Sequence, residues 1–224
     1  MTLRILDVVQ GSPEWLEARR GMITASVVGR LVTPRTIQPA SNMAERALVA
    51  ELAAERIAGW IDDSYQSGDM IRGHLDEPYA REAYTAHTGI GIDDVGLMVR
   101  DYDGFSLGYS PDGIAGDGLV EIKSRVARHH VATVLADAVP DEHLAQCHAA
   151  LVVSGRPWLD YVSFCGGLAL WVKRVYPNPR WAAAIVAATR AADAAITATV
   201  ATYTERTAGL PVTERPNHEL ELSL

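Results

Sequence analysis

Two acidic residues and a lysine near the middle of the chain have the types and spacing needed to hold a metal ion beside a phosphate. Asp112 stands in Ser110-Pro111-Asp112-Gly113, and Glu121 and Lys123 follow in an apolar, β-favouring run. Because side chains alternate along a strand, Glu121 and Lys123 are expected on one face and Ile122 on the other. Two carboxylates hold a hard divalent cation, and a neighbouring lysine orients water or neutralises charge on a phosphate. The pattern predicts metal-dependent phosphodiester cleavage, with a hairpin of solvated charges as the alternative.

The scarcity of lysine supports the functional alternative. Lys123 and Lys173 are the only lysines in the chain, and the other strongly basic side chains are arginines. Arginine stays protonated and grips phosphate as a planar fork, whereas lysine is a compact charge whose pKa is tunable. A lysine at position 123 is therefore unlike the background composition of the chain.

The bulk composition is that of a globular domain. The chain has 224 residues, 48% of them hydrophobic and 21% charged, which suits one domain with a sizeable core. No apolar run approaches the roughly 20 residues of a membrane span, and the start has no secretory segment. Cys147 and Cys165 lack metal-ligand spacing. These features predict a cytoplasmic protein.

The net charge of −8 disfavours coating of nucleic acid by bulk electrostatics. It leaves room for an enzyme with a local basic groove. The candidates for such a groove are three clusters, each with a solvated surface as its alternative: Arg19-Arg20, Arg30 with Arg35, and Arg125 with Arg128, His129 and His130.

Cap residues and periodicity predict the elements that position these side chains. Ser12 and Asn42 are the expected N-caps of two helices, and Gly59 and Gly155 are expected to follow the ends of two helices. Helices are expected over Ser12–Arg20, Val27–Leu31 with Ser26 as its cap, Met43–Ala58, Asp76–His87, Asp141–Val153 and Pro179–Thr207. Strands are expected over Ile90–Arg100, Phe105–Tyr109, the two motif segments, Leu159–Cys165 and Leu168–Tyr176, with loops at Thr33–Ser41 and Asp62–Asp69. The order predicts a mixed α/β (α+β) fold with a central mixed, mostly antiparallel β-sheet, flanking helices and a long C-terminal helix.

Four motifs together resemble a known family. They lie at Gln10–Ser26, Gly73–Gly89, Ser110–Lys123 and Leu144–Tyr161, in the family's order. On these residues the chain resembles the phage lambda exonuclease and YqaJ-type viral recombinase nucleases of the PD-(D/E)XK superfamily. The resemblance covers about residues 10–164. It implies one restriction-endonuclease-like domain, which we assign to residues 1–224. The C-terminal hairpin and helix at about 159–207 come from the sequence pattern, the helix being only generically similar to the family, and a loosely ordered tail is expected at 208–224.

The resemblance also implies roles for individual residues. Asp112, Glu121 and the backbone carbonyl of Ile122 match the metal ligands, and Lys123 matches the residue that positions or activates the attacking water. Glu77 matches an additional acidic residue near the metals; an exposed helical Glu paired with Arg81 is its alternative. Gln146 matches a glutamine that lines the active site, with a buried helical amide as its alternative.

Further positions concern the DNA end. Arg19 and Ser26 match the family's pocket for a terminal 5′-phosphate; a helix-surface arginine and a plain N-cap are the alternatives. Asp101 corresponds only weakly to a family acidic position, because the register differs by about one residue. Trp15 is expected to be a core anchor, and metal roles are not expected for His143 or His148.

The function that the resemblance implies is Mg²⁺-dependent 5′-to-3′ digestion of double-stranded DNA, with Mn²⁺ as a substitute and two metal ions. The product is a 3′ single-stranded tail for phage-type recombination in a bacterial host. A single-strand annealing protein and a ring-shaped homotrimer are the implied partners. The alternatives are a structure-specific or single-strand-preferring endonuclease, and a non-catalytic DNA-binding module of the same fold.

Overall fold

Nine strands form the scaffold of the computed structural model, which describes residues 1–61 and 68–215. The strands are β1 (Thr2–Leu6), β2 (Val32–Thr33), β3 (Gln38–Pro39), β4 (Leu97–Asp101), β5 (Ser106–Tyr109), β6 (Gly113–Ala115), β7 (Gly118–Ser124), β8 (Leu159–Phe164) and β9 (Trp171–Val175). The helices are α1 (Pro13–Arg19), a 3₁₀ helix (Ala25–Arg30), α2 (Met43–Ala58), α3 (Gly68–Thr88), α4 (Ala127–Ala136), α5 (Asp141–Ser154) and α6 (Pro179–Arg206).

The strands form two main sheets that adjoin at the candidate site. One sheet has the order β1-β4-β5 and the other β6-β7-β8-β9, while β2 and β3 form a separate small hairpin. Strands β7 and β8 pair in parallel, with Glu121 opposite Tyr161, and the other described strand pairs are antiparallel. Strand β5 ends at Tyr109 and β6 begins at Gly113, so Asp112 lies at the junction of the two sheets.

Each face of the second sheet has its own apolar core. Val120 and Ile122 pack with Tyr84 of α3 on one face. Leu119, on the alternate face of β7, belongs to the larger core formed with α2, α5, α6 and the first sheet. The alternation of β7 therefore buries its apolar residues on both sides and leaves Glu121 and Lys123 on the α5 side.

Several cap predictions are confirmed. Ser12 and Asn42 accept hydrogen bonds from the backbone N–H groups of Trp15 and Glu45, at the starts of α1 and α2. Gly59 and Gly155 follow α2 and α5 in the left-handed conformation. The prediction for Ser26 is wrong: Thr24 occupies the N-cap position, and Ser26 lies inside the first turn of the 3₁₀ helix.

Other boundaries differ from the predictions. β1 and α4 were not predicted, β4 begins at Leu97 instead of Ile90, and β2 and β3 occupy part of the predicted loop at Thr33–Ser41. α3 begins at Gly68, eight residues before the predicted start, and contains Pro78. Most of the predicted polar loop, residues 62–67, lies outside the described residues.

The C-terminal helix and the residues after it have distinct settings. α6 is long and apolar enough to cross a membrane by length and composition. Its Trp181, Ile185 and Ile196 are buried in the main core, so one face of the helix packs against the rest of the domain. Residues 210–215 contain no helix or strand, and the Arg215 guanidinium lies 4.5 Å from the Trp60 ring centroid. Residues 216–224 of the predicted loose tail lie outside the described part.

Candidate active site

Strand β7 brings Glu121 and Lys123 together. The Nζ atom of Lys123 lies 2.6 Å from Oε1 of Glu121, as the alternation of a strand predicts. Glu121 is 2% exposed, whereas the Lys123 side chain is 26% exposed. Lys123 therefore joins a buried carboxylate to the molecular surface.

Asp112 reaches the same site from the junction between the sheets. Its Oδ2 accepts a 2.6 Å hydrogen bond from the backbone N–H of Ile122. Its backbone carbonyl accepts a hydrogen bond from the Arg81 guanidinium. The next residue must be glycine, because a Cβ at Gly113 would lie 2.1 Å from Cγ2 of Ile92. Asp112 is thus fixed against β7 by its own side chain and by its backbone.

Burial and neighbouring carboxylates make the ionised form of Asp112 unfavourable in this site. Burial, then Glu121 and Glu77, raise the pKa of Asp112 from 3.8 to about 8, against the opposing effects of Lys123 and the Ile122 N–H. Burial alone lowers the pKa of Lys123, but Glu121 and Asp112 outweigh it, and the pKa lies above its ordinary value. Lys123 is consequently protonated at neutral pH.

Gln146 and Tyr109 complete the contacts of Glu121. The amide Nε2 of Gln146, on α5, donates to Oε1 at 2.5 Å. The hydroxyl of Tyr109, at the end of β5, donates to Oε2 at 3.1 Å. Gln146 was singled out from the sequence and Tyr109 was not. The signal for Tyr109 was its place immediately before Ser110-Pro111-Asp112 at the end of a strand.

Glu77 lies on α3 at the edge of this site. It is close enough to Asp112 to contribute to the raised pKa of that carboxyl group. Its Oε1 also lies 3.6 Å from the Nη1 atom of Arg81, and its side chain is 37% exposed. The structure therefore contains the Glu77–Arg81 ion pair, which was the alternative to a role near the metals. The same glutamate also lies next to Asp112.

The donor set suits a divalent cation. Asp112 and Glu121 supply carboxylate oxygens beside the single ammonium group of Lys123, and burial and Glu121 both disfavour the ionised form of Asp112 in the absence of a further cation. Among the described residues, no group of three His, Cys, Asp or Glu side chains forms a metal cluster by itself. Mg²⁺ is commonly held by one or two carboxylates together with water and substrate phosphate, so this donor set fits such an ion.

Arg19 lies in a separate polar group connected to the Asp112 segment. Its Nη2 donates to Oγ1 of buried Thr24 at 3.4 Å, and Thr24 shares a 3.1 Å hydrogen bond with the exposed Ser26. The guanidinium also stacks on Trp15, 3.9 Å from the ring centroid. Trp15 Nε1 in turn donates to Oγ of Ser110 at 2.8 Å, two residues before Asp112.

This contact corrects the expectation for Trp15. The side chain is half-buried, and α1 contributes no buried residue to the core. Trp15 therefore connects Arg19 to the Asp112 segment rather than anchoring the core. The spacing of Trp15 and Arg19 on one helix turn was visible in the sequence, but their contact with Ser110 was not.

The structure does not bring Asp101 into the group around Glu121. Its carboxylate accepts hydrogen bonds from Arg4 at 2.5 Å and from Ser106 at 2.7 Å. These contacts lower the pKa of Asp101 to about 2. Asp101 therefore stabilises the pairing of β1, β4 and β5 at their ends.

The basic cluster after the motif is divided between surface and core. His130 is buried and bonds to Oγ of Ser163 and the carbonyl of Ala169, each at 2.9 Å. Arg125 Nη1 lies 2.8 Å from Oε1 of Glu142. Burial, with Lys123 and Arg125, lowers the pKa of His143 to about 4, so His143 is neutral near neutral pH.

Two clefts adjoin the carboxylates. One of about 440 Å³ is lined by Arg72, Lys123, Arg125 and His129, among others. The other, of about 400 Å³, is lined by Gln10, Glu77, Arg81 and Asp112. The site is thus open to ligands from both sides, with a more basic lining next to Lys123.

A mixed sheet beside an antiparallel sheet, flanked by helices and with an Asp, a Glu and a Lys where the two sheets adjoin, defines a nuclease of the PD-(D/E)XK fold. Residues 14–157 match the model of the YqaJ-like viral recombinase domain. The chain belongs to the YqaJ-like viral recombinase family.

Solved structures agree with this membership. The alkaline exonuclease LHK-Exo from Laribacter hongkongensis is 29% identical, with a TM-score of 0.79 over 89% of this chain and 100% of that one. The values are the same for LHK-Exo in complex with dAMP. A phage related exonuclease from Haemophilus somnus shares the fold at 9% identity, with a TM-score of 0.66 over 81% of this chain and 96% of its own. No sequence among the curated proteins is significantly similar to the chain.

These findings confirm the predicted family, fold class and nuclease activity.

Proposed function

We propose that the chain is a metal-dependent exonuclease that digests double-stranded DNA from a 5′ end and leaves a 3′ single-stranded tail for phage-type recombination. The observation that carries the proposal is the gathering of Asp112, Glu121 and Lys123 at one site. A second observation supports a preference of the enzyme for DNA ends. It is the polar group of Arg19, Thr24 and Ser26, which is connected to the Asp112 segment through Trp15. An enzyme that works from an end needs a second site that holds the terminus at a fixed distance from the reacting bond.

Asp112, Glu121 and the Ile122 carbonyl, with Glu77 beside them, are the groups that would hold Mg²⁺ or Mn²⁺, and the family resemblance favours two ions. Such ions lower the pKa of a bound water and stabilise charge on the departing oxygen. The buried position of Glu121 and the hydrogen bond from Ile122 to Asp112 keep both carboxylates in place between turnovers.

Lys123 would orient the attacking water and neutralise charge on the phosphate. Since its pKa is raised, the ammonium donates hydrogen bonds and does not serve as a base. Gln146 holds the same Glu121 oxygen as Lys123 and thereby keeps the ammonium close to the reacting phosphate. Both side chains thus act on the same carboxylate.

Arg19 and Ser26 would receive the terminal 5′-phosphate. An arginine grips phosphate through paired charged hydrogen bonds, and the exposed Ser26 hydroxyl adds a donor. Burial lowers the pKa of Arg19, with Glu55 opposing this, yet an arginine remains protonated at neutral pH. The dAMP in the LHK-Exo complex is a mononucleotide, the kind of product that stepwise digestion from a 5′ end releases.

The test uses linear duplex labelled at one 5′ end, with Mg²⁺ or with a chelator. The proposal expects labelled mononucleotide to appear first, only with Mg²⁺, while covalently closed circular duplex stays intact. Nicking of the circle would favour a structure-specific endonuclease. Faster digestion of single strands than of duplex would favour a single-strand-preferring endonuclease. Metal binding without any cleavage would favour a non-catalytic module.

The family resemblance also supports a single-strand annealing protein as partner and a ring-shaped homotrimer, in the cytoplasm of a bacterium carrying the phage or prophage. A light-scattering mass in solution tests the trimer: the proposal expects three times the 24.2 kDa chain. A monomeric mass would remove the ring and any processivity that depends on it.

A further inference from the structure

The hydrogen bonds of Glu121 are distributed unequally between its two oxygens. Oε1 accepts from Gln146 at 2.5 Å and lies 2.6 Å from the ammonium of Lys123. Oε2 accepts from the hydroxyl of Tyr109 at 3.1 Å. A carboxylate oxygen has two lone pairs. Counting the described part of the chain, Oε1 is therefore fully occupied, and Oε2 keeps one free acceptor position.

Tyr109 is held firmly enough to direct that position. It is 2% exposed and belongs to the main core. Its backbone is paired with Met98 in the antiparallel ladder between β4 and β5. The ring cannot follow a moving carboxylate without disturbing the core, so the hydroxyl is a fixed donor.

We propose that Tyr109 is a positioning residue that fixes the Glu121 carboxylate so that Oε2 is the oxygen offered to a divalent cation. This inference rests on the proposed function, because it assumes that Glu121 binds the cation. Gln146 and Lys123 hold the other oxygen, and the three donors together leave the carboxylate one orientation. Without the Tyr109 hydroxyl, the carboxylate can rotate about its terminal bond and lose the aligned acceptor.

The chain offers two matched controls for Tyr109→Phe. Tyr161, opposite Glu121 on β8, is 0% exposed, and its hydroxyl has no hydrogen-bond partner within residues 1–61 and 68–215. Tyr161→Phe therefore removes a buried hydroxyl and no hydrogen bond. Tyr84 is also 0% exposed, and its hydroxyl donates to Asp160 at 2.8 Å. Tyr84→Phe removes a buried hydrogen bond on the opposite face of the sheet.

The experiment measures Mn²⁺ binding to each full-length variant without DNA, by calorimetry, and the Mg²⁺ concentration that gives half-maximal cleavage. Removing an outer partner of a metal ligand commonly costs about 10–100-fold in metal affinity. Tyr109→Phe is expected to weaken Mn²⁺ binding by about 10-fold or more and to raise the half-maximal Mg²⁺ by a similar factor. At saturating Mg²⁺ its kcat should fall less. Both control variants should stay within about twofold of wild type.

Unchanged metal affinity in Tyr109→Phe, with an active wild type, overturns the inference alone. An equal loss in Tyr109→Phe and Tyr161→Phe overturns it as well, because the effect would then come from packing. A wild type that binds no Mn²⁺ and cleaves no DNA overturns the proposed function and this inference with it. Melting temperatures check that each variant folds. If Tyr109→Phe does not fold, the replacement measurement is the Mn²⁺ affinity of the wild-type chain carrying fluorinated tyrosines. An unchanged Mn²⁺ affinity in that protein refutes the positioning role of Tyr109.

Discussion

The replacement Asp112→Asn is expected to stabilise the metal-free protein while it abolishes cleavage. In the folded chain, burial and Glu121 raise the pKa of the Asp112 carboxyl from 3.8 to about 8. Folding therefore favours the protonated form, and ionised Asp112 opposes folding. Asparagine is neutral, and its side-chain oxygen can still accept the hydrogen bond from Ile122. The substitution removes the electrostatic cost and keeps the local geometry.

The sign and size of the effect follow from linkage. A raised folded pKa contributes stability that is complete below the unfolded pKa and is lost as the pH rises through the folded pKa. At about 1.4 kcal/mol for each unit, the full shift sets an upper bound of about 6 kcal/mol. Water and the Lys123 ammonium relax around the ionised group, so we expect a gain of at least about 2 kcal/mol at about pH 8. The advantage should shrink steadily toward about pH 4.

The assay is thermal or denaturant unfolding of both proteins in a chelator, at several pH values. A gain of about 2 kcal/mol corresponds to a melting temperature higher by roughly 4 °C or more for a chain of this size. Added Mg²⁺ should stabilise the wild type and leave Asp112→Asn unchanged. Equal stability of the two proteins at all pH values would refute the claim that folding disfavours the ionised form of Asp112.

Three further predictions concern other parts of the site and fold. Arg19→Ala should lose about 1.5–3 kcal/mol of phosphate binding, so digestion of 5′-phosphorylated ends falls roughly 10–100-fold. Digestion of unphosphorylated ends by Arg19→Ala should change little, and so should digestion of phosphorylated ends by the control variant Arg20→Ala. An equal loss for Arg19→Ala on both kinds of end would argue against the pocket. Gln146→Leu should reduce the cleavage rate more than DNA affinity, because it leaves Lys123 as the remaining described contact of Oε1 of Glu121; unchanged kcat would contradict this. Asp160→Ala should cost about 3 kcal/mol of stability, since it leaves Tyr84 and Arg174 without their buried partner; an unchanged unfolding midpoint would contradict this.

The chemistry at the centre could be predicted because it depends on local geometry. The alternation of β7 fixes which side chains share a face, and Glu121 and Lys123 meet as predicted. Capping chemistry likewise fixed the starts of α1 and α2, since the donors and acceptors lie within three residues of each other.

The remaining features depend on contacts between distant segments. β1 is exposed at three of its five residues and exists because it pairs with β4, more than ninety positions along the chain. α4 begins with arginine and histidines that resemble a solvated cluster, yet His130 is buried against Ser163. The Tyr109–Glu121 and Trp15–Ser110 contacts arise where the two sheets meet, which no local pattern records.

The most direct test of the active site is single-turnover cleavage by Lys123→Ala, with DNA affinity measured on the same duplex. We predict that the cleavage rate falls by about 10³-fold or more, as for other groups that stabilise charge in a transition state. The DNA dissociation constant should stay within a few-fold of wild type. Substantial turnover by the variant would contradict the role of Lys123 beside Asp112 and Glu121. A loss explained entirely by weaker DNA binding would contradict it equally.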